Sequence, residues 1–107
     1  VAFHATDERG KAIYHTNVVM CVGERFAVVC LECIAGEAER AAVRKALAES
    51  DKEIVEISIE QVNRFAGNML QVRNRRGDRL LVMSSQAYHA LLPHQLRQLE
   101  KYTQITY

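Results

Sequence analysis

The chain has 107 residues, 49% hydrophobic and 25% charged, with a formal net charge of +1. That length allows one domain around one modest core, and the composition excludes disordered, fibrous and collagen-like chains. The near-neutral charge argues against a nucleic-acid or anionic-membrane partner, and no apolar run reaches the roughly 18 residues of a membrane span.

The chain opens on Val1 without an initiating Met or a signal-peptide pattern. Val1-Ala2-Phe3-His4 reads as a strand, and so does Ile105-Thr106-Tyr107. Ends cut inside strands point to an internal piece of a longer protein. Cys21, Cys30 and Cys33 are an odd number of cysteines in Val- and Leu-rich surroundings, which predicts reduced, buried thiols in a cytoplasmic protein.

Ala12 to Val22 is a strand candidate. Gly23-Glu24 supplies a turn, and Arg25 to Leu31 returns as the second strand of a hairpin. The near-continuous apolar runs predict strands covered on both faces. After Gly36, the segment Glu37 to Ser50 is rich in strong helix formers, with Ala38, Ala42, Val43, Ala46 and Leu47 on one face. Glu53 to Ile57 is a short strand. Ser58 and Gln61 have capping-box spacing, so a helix runs from Ile59 to Phe65, with Gly67 able to end it in the left-handed conformation. Met69 to Val72 and Arg79 to Met83 form a second hairpin around the polar turn 74–78. Ser84 or Ser85 caps a helix through Tyr88 and Leu91. Pro93 begins another, with Leu96 and Leu99 facing inward.

Asn17 opens an apolar strand followed by a Gly turn, a second strand and a helix, and Asn68 opens the same series again. The approximate repeats are 12–58 and 66–107, inside a single partial domain, 1–107. A period of about 50 residues suits a propeller or a stacked array; a chance match within an α+β domain is the other reading.

His15, in Tyr14-His15-Thr16-Asn17, stands at the head of the first predicted buried strand. Polar residues at such places border clefts where ligands bind in α/β proteins, and histidine carries protons near neutral pH. From spacing alone, a structural histidine is the simpler reading. Cys30-x-x-Cys33 lacks the second ligand pair that zinc needs. A redox pair belongs at a strand-to-helix junction, whereas Cys30 is read as strand. His89 and His94 read as surface residues on no common helix face, and His4 has no evident partner. Arg73, Arg75, Arg76 and Arg79 read as a solvated basic turn. No phosphate loop, Ser-His-Asp set, metal site or organic cofactor is expected.

Phe3-His4-Ala5-Thr6-Asp7, Ile13-Tyr14-His15-Thr16-Asn17-Val18, Phe65-Ala66-Gly67-Asn68-Met69-Leu70 and Leu81-Val82-Met83-Ser84 occur in that order. Together they resemble the amidinotransferase-related hydrolases of the arginine deiminase superfamily, most closely the bacterial citrulline-utilization hydrolases. The resemblance covers nearly the whole chain. It implies a pentein fold, an α/β (α+β) β/α-propeller of five strand–strand–helix–strand blades. Five units of about 50 residues need about 250 residues, so this chain would span two blades of a partial propeller. It further implies a cysteine thiolate that attacks the central carbon of a guanidine or ureido group, with a histidine that protonates the leaving amine and then activates water.

By position, the resemblance gives His15 the catalytic role and Asn17 and Asn68 substrate contact. The small-molecule partner is then arginine- or citrulline-like. The three cysteines do not match the family's nucleophile, and Asp7 reads as a turn residue, so the isolated chain is expected to be inactive. Amidino transfer by the same machinery, or a non-catalytic interaction module with a structural His15, are the alternatives. Exposed blade edges predict self-association.

Overall fold

A computed structural model of the protein describes residues 2–107; the start of the expected opening strand, Val1, lies outside them. Ala2 to His4 is not a strand. The first pairing joins β1 (Ala5–Thr6) to β2 (Ala12–Ile13), antiparallel. Asp7 makes the turn between them: its Oδ1 accepts from the Arg9 and Lys11 N–H groups, both at 2.9 Å. Gly10 takes a φ of +78° there, which glycine reaches at no steric cost. His4 does have a partner, since both its backbone N–H and its Nδ1 meet the Glu39 carboxylate at 2.9 Å.

The strand expected over 12–22 is interrupted. After β2 the chain forms one helical turn, α1 (Thr16–Val19), and only then β3 (Met20–Val22). His15 occupies the position before α1, where its carbonyl accepts from the Val18 N–H at 3.1 Å. An apolar run as short as Val18 to Val22 does not separate helix from strand by periodicity. The polar residues before it are exposed, and the turn buries only Val19.

β3 pairs antiparallel with β4 (Phe26–Val29), and β4 pairs parallel with β5 (Glu53–Glu56). The second strand therefore ends earlier than expected; Leu31–Cys33 is a 3₁₀ turn with Cys30 at its N-cap. Between β4 and β5 runs α2 (Glu37–Glu49), whose buried stripe is narrower than the sequence suggested. Val43 and Leu47 are buried, whereas Ala38 and Ala42 face solvent. The stripe packs on Ala27, Val29, Leu31 and Ile34, leaving no partner for a wider face.

α3 (Ile59–Asn63) has the expected capping box, with the Ser58 hydroxyl accepting from the Gln61 N–H at 3.1 Å. It does not end on Gly67. Phe65 takes the left-handed conformation, φ +67°, while its N–H bonds to the Val62 carbonyl and the Ala66 N–H to that of Gln61. That is a Schellman closure with a phenylalanine where glycine is usual.

The second sheet comprises β6 (Leu70–Arg73), β7 (Arg79–Val82) and β8 (Gln104–Thr106). β6 and β7 are antiparallel, β7 and β8 parallel. α4 (Ser85–Ala90), capped by the Ser84 hydroxyl, and α5 (Pro93–Glu100) connect β7 to β8. The molecule is thus mixed α+β, and its two three-stranded sheets share one strand order and one pattern of senses. Among the described residues no sheet closes into a barrel, and no helix is long and apolar enough to cross a membrane.

Sheet one is covered on both faces. Ala27, Val29 and Ile54 meet α2. Cys21, Phe26, Val28 and Val55 enter a core shared with Val62 of α3, Leu81 of β7, Ala87 of α4 and Leu99 of α5. Sheet two is covered on one face only. Leu70 and Val82 are register partners and Val72 lies on the same side; they are 64%, 42% and 37% exposed.

Two polar devices join the halves. One is a pair of buried glutamines. Gln61 Nε2 donates to Gln95 Oε1 at 2.7 Å and to the Ala90 carbonyl at 2.9 Å, and Gln95 Nε2 donates to the Glu56 carbonyl at 2.8 Å. The other is Glu24, at the tip of the first hairpin. Its carboxylate receives Arg79 Nε at 2.6 Å, Arg79 Nη2 at 2.9 Å and Arg73 Nη2 at 2.9 Å. Its own N–H donates to Gln71 Oε1 at 2.8 Å. Two of the four arginines read as a solvated turn are therefore bound to a partner far away in sequence.

The hydrogen bonds and charges of Arg79 and Arg73 hold the Glu24 carboxyl at about 2, well below its ordinary value of 4.5. A depressed folded-state pKa contributes stability that is complete above the unfolded value and is lost as pH falls through the folded one. Glu24→Gln should therefore lower stability at neutral pH, where the Glu24 contribution is complete, flatten the acid limb between about 4.5 and about 2, and differ least from wild type at the acid end. Urea unfolding across that pH range checks this; an acid limb identical to wild type would count against the staple.

Candidate functional site

His15 is placed by three local features. Tyr14 and His15 are extended, α1 turns directly after them, and the Val18–His15 hydrogen bond fixes the junction. The His15 side chain is exposed and makes no hydrogen bond among the described residues. It lines a depression of about 260 Å³ with Thr16, over a floor that includes Phe3, Ala5, Ile13 and Val19. Small-molecule sites usually start at roughly 300 Å³, so the depression is slightly smaller than a usual ligand site. No carboxylate lines it.

Asn17 and Asn68 are both exposed, and neither side chain is hydrogen-bonded among the described residues. They reach the same neighbourhood through Gly67. A Cβ at Gly67 would lie 2.2 Å from the Val18 carbonyl oxygen and 2.9 Å from its carbon. The Phe65–Asn68 segment thus lies backbone against backbone on α1, with Asn17 adjacent to Val18 and Asn68 adjacent to Gly67. Gly67 is needed for this close approach, not for the left-handed turn the sequence suggested.

None of the three cysteines lines the His15 depression. All three are free and buried. Burial pushes the Cys21 thiol up to about 11, which disfavours the thiolate that nucleophilic chemistry requires. Cys30 and Cys33 engage each other, Sγ to Sγ at 2.9 Å.

A larger cleft, about 730 Å³, lies between α3 and the α4–α5 junction. Glu32, Glu56, Glu60, Arg64, His89 and His94 line it, and the buried glutamine pair reaches its floor. Sequence reading missed this cleft. The signal was faint: two histidines on successive helices, separated by Pro93, which turns the chain so that both border one groove. No group of three or more His, Cys, Asp or Glu side chains suited to a metal occurs among the described residues.

The fold is mixed α+β with two like three-stranded sheets, and it exposes a histidine at a helix start. A family model described as N,N dimethylarginine dimethylhydrolase, eukaryotic, matches residues 1–107. The chain belongs to that family, and with it to the guanidine-modifying superfamily of hydrolases acting on arginine derivatives. Searches of curated proteins and of solved structures each found no match.

Gly67→Ala tests the contact that sets α1. A methyl inside backbone van der Waals distance should cost about 1–3 kcal/mol and displace the His15 imidazole resonances. Urea unfolding and NMR of the variant would show it. Unchanged stability with unmoved His15 signals would mean that Gly67 does not position α1.

Proposed function

We propose that His15 is the proton-transferring histidine of a hydrolase that cleaves a C–N bond of an arginine- or citrulline-like substrate. The observation that carries this reading is the family match over the whole chain, joined to the exposed, uncommitted His15 at the start of α1. A histidine kept for packing would be buried or held by neighbours; this one has neither constraint. By the family's description the substrate is N,N-dimethylarginine, and a ureido compound such as citrulline is the variant that the sequence resemblance suggests.

In this mechanism a thiolate adds to the central carbon of the guanidinium. His15 donates its proton to the departing nitrogen, the C–N bond breaks, and a thiouronium-type adduct remains. His15, now neutral, takes a proton from water as the oxygen adds to the same carbon, and the thiolate leaves. Asn17 and Asn68 contribute amide groups at the substrate's edge. The thiolate comes from a segment outside these 107 residues, since Cys21, Cys30 and Cys33 are buried away from His15. The 107 residues alone should then be inactive. The acidic residues that grip the substrate would come from outside as well.

The two like sheets support reading the chain as two blades of a pentein propeller. The exposed face of Leu70, Val72 and Val82 is where self-association would occur. Sedimentation of the isolated chain should reveal oligomers, and a monomer at high concentration would remove that expectation. Three free, buried thiols fit the reducing cytoplasm.

The decisive experiment measures turnover of the complete protein on N,N-dimethylarginine, arginine, agmatine and citrulline. His15→Ala should lower kcat about 10²–10⁴-fold while the fold, read by circular dichroism, stays intact. Turnover equal to wild type would remove His15 from the chemistry.

A further inference from the structure

Cys30 and Cys33 are used by nothing in the proposed reaction, and both side chains are 0% exposed. Their sulfurs lie 2.9 Å apart with Cys33 as donor. From the sequence, Cys30 belongs to the strand Arg25 to Leu31 and not to a strand-to-helix junction, which argues against a redox role. The structure removes that objection: β4 ends at Val29, Cys30 is the N-cap of the 3₁₀ turn Leu31–Cys33, and the Cys33 N–H bonds back to the Cys30 carbonyl at 3.3 Å. Cys30 therefore stands where the strand gives way to a short 3₁₀ turn, which folds Cys33 back onto it. The pair is also wired to the candidate site. The Cys30 N–H donates to the Val19 carbonyl at 2.9 Å, and Val19 is the last residue of α1, the turn that begins beside His15.

We propose that Cys30 and Cys33 form a peroxide-sensitive dithiol whose closure to a disulfide shifts α1 and His15. The two thiols lose two electrons and two protons. Cys30 sulfur attacks one peroxide oxygen, the O–O bond breaks, and water leaves as Cys30 becomes a sulfenic acid. Cys33 sulfur then attacks the Cys30 sulfur, the S–O bond breaks, and a second water leaves as the S–S bond forms. The hydrogen bond from Cys33 lowers the Cys30 thiol from its ordinary value and makes it the attacking sulfur; the same bond, with burial, raises Cys33. Burial limits the oxidant to a small molecule, so peroxide fits and a large disulfide such as oxidised glutathione does not. Cys21 makes no hydrogen bond with either thiol and is left out of the closure.

The experiment treats the folded protein with hydrogen peroxide and follows intact mass, thiol count after denaturation, and His15 imidazole resonances. The expected result is a product about 2 Da lighter, with a thiol count falling from three to one and returning to three with dithiothreitol. Circular dichroism should be retained and the His15 signals displaced. Cys21→Ser should still close the pair, Cys33→Ser should gain oxygen on Cys30 instead of losing hydrogen, and Cys30→Ser, which lacks the attacking sulfur, should do neither. Oxidation confined to Cys21, or closure seen only in unfolded protein, would overturn the dithiol. A closed disulfide with unmoved His15 signals would overturn its link to α1. These readouts need no turnover, so they stand or fall separately from the hydrolase reading.

Discussion

The arrangement of the two halves depends on the buried exchange of hydrogen bonds between Gln61 and Gln95. Each glutamine sits in the first turn of its helix and accepts a backbone N–H there, from Ser58 and from Leu92, both within hydrogen-bond distance. Each then turns its amide NH₂ outward, Gln61 to the Ala90 carbonyl and Gln95 to the Glu56 carbonyl. One pair of side chains thereby caps α3, caps α5, ties the end of β5 and fixes the bend between α4 and α5. A buried amide left without partners costs about 1–3 kcal/mol, so a displacement of either helix would strand several polar groups together. The fit is stringent because it is polar: apolar surfaces slide over one another at little cost, and this network does not.

From that anchored position, the chain after α3 can be delivered to α1. The Schellman closure at Phe65 redirects the backbone, and Gly67 lets it lie against Val18 without an intervening side chain. The Cys30 N–H holds the other end of the same turn through Val19. α1 is only one turn long, too short to be stable alone. Its orientation, and so that of His15, is imposed by neighbours on both sides.

Much of the fold was legible. The capping box at Ser58, the caps at Ser84 and Pro93, and the polar turn of the second hairpin all use local chemistry and lie where the sequence put them. What was not legible depends on contacts between distant residues. Nothing near Thr16 announces that a helical turn will interrupt an apolar run, because the reason lies partly in Gly67. Nothing near Arg79 announces Glu24. The left-handed residue was assigned to Gly67 by propensity, and packing gave it to Phe65 instead. His15 stood out by residue type and by resemblance, yet its exposure could be read only from the fold.

The coverage of the two sheets has a consequence for symmetry. α5 lies against strands of both sheets, β5 and β8, so one unit's helix layer closes the free face of its neighbour's sheet. Such a contact joins two unlike surfaces. Unlike a two-fold interface, it is not satisfied by pairing, because each addition covers one sheet and presents another. The series ends when it closes into a ring or meets a cap of different design. The apolar face of Leu70, Val72 and Val82 has no such cover among the described residues, and this gives the molecule a direction: one sheet is closed on both faces, the other on one.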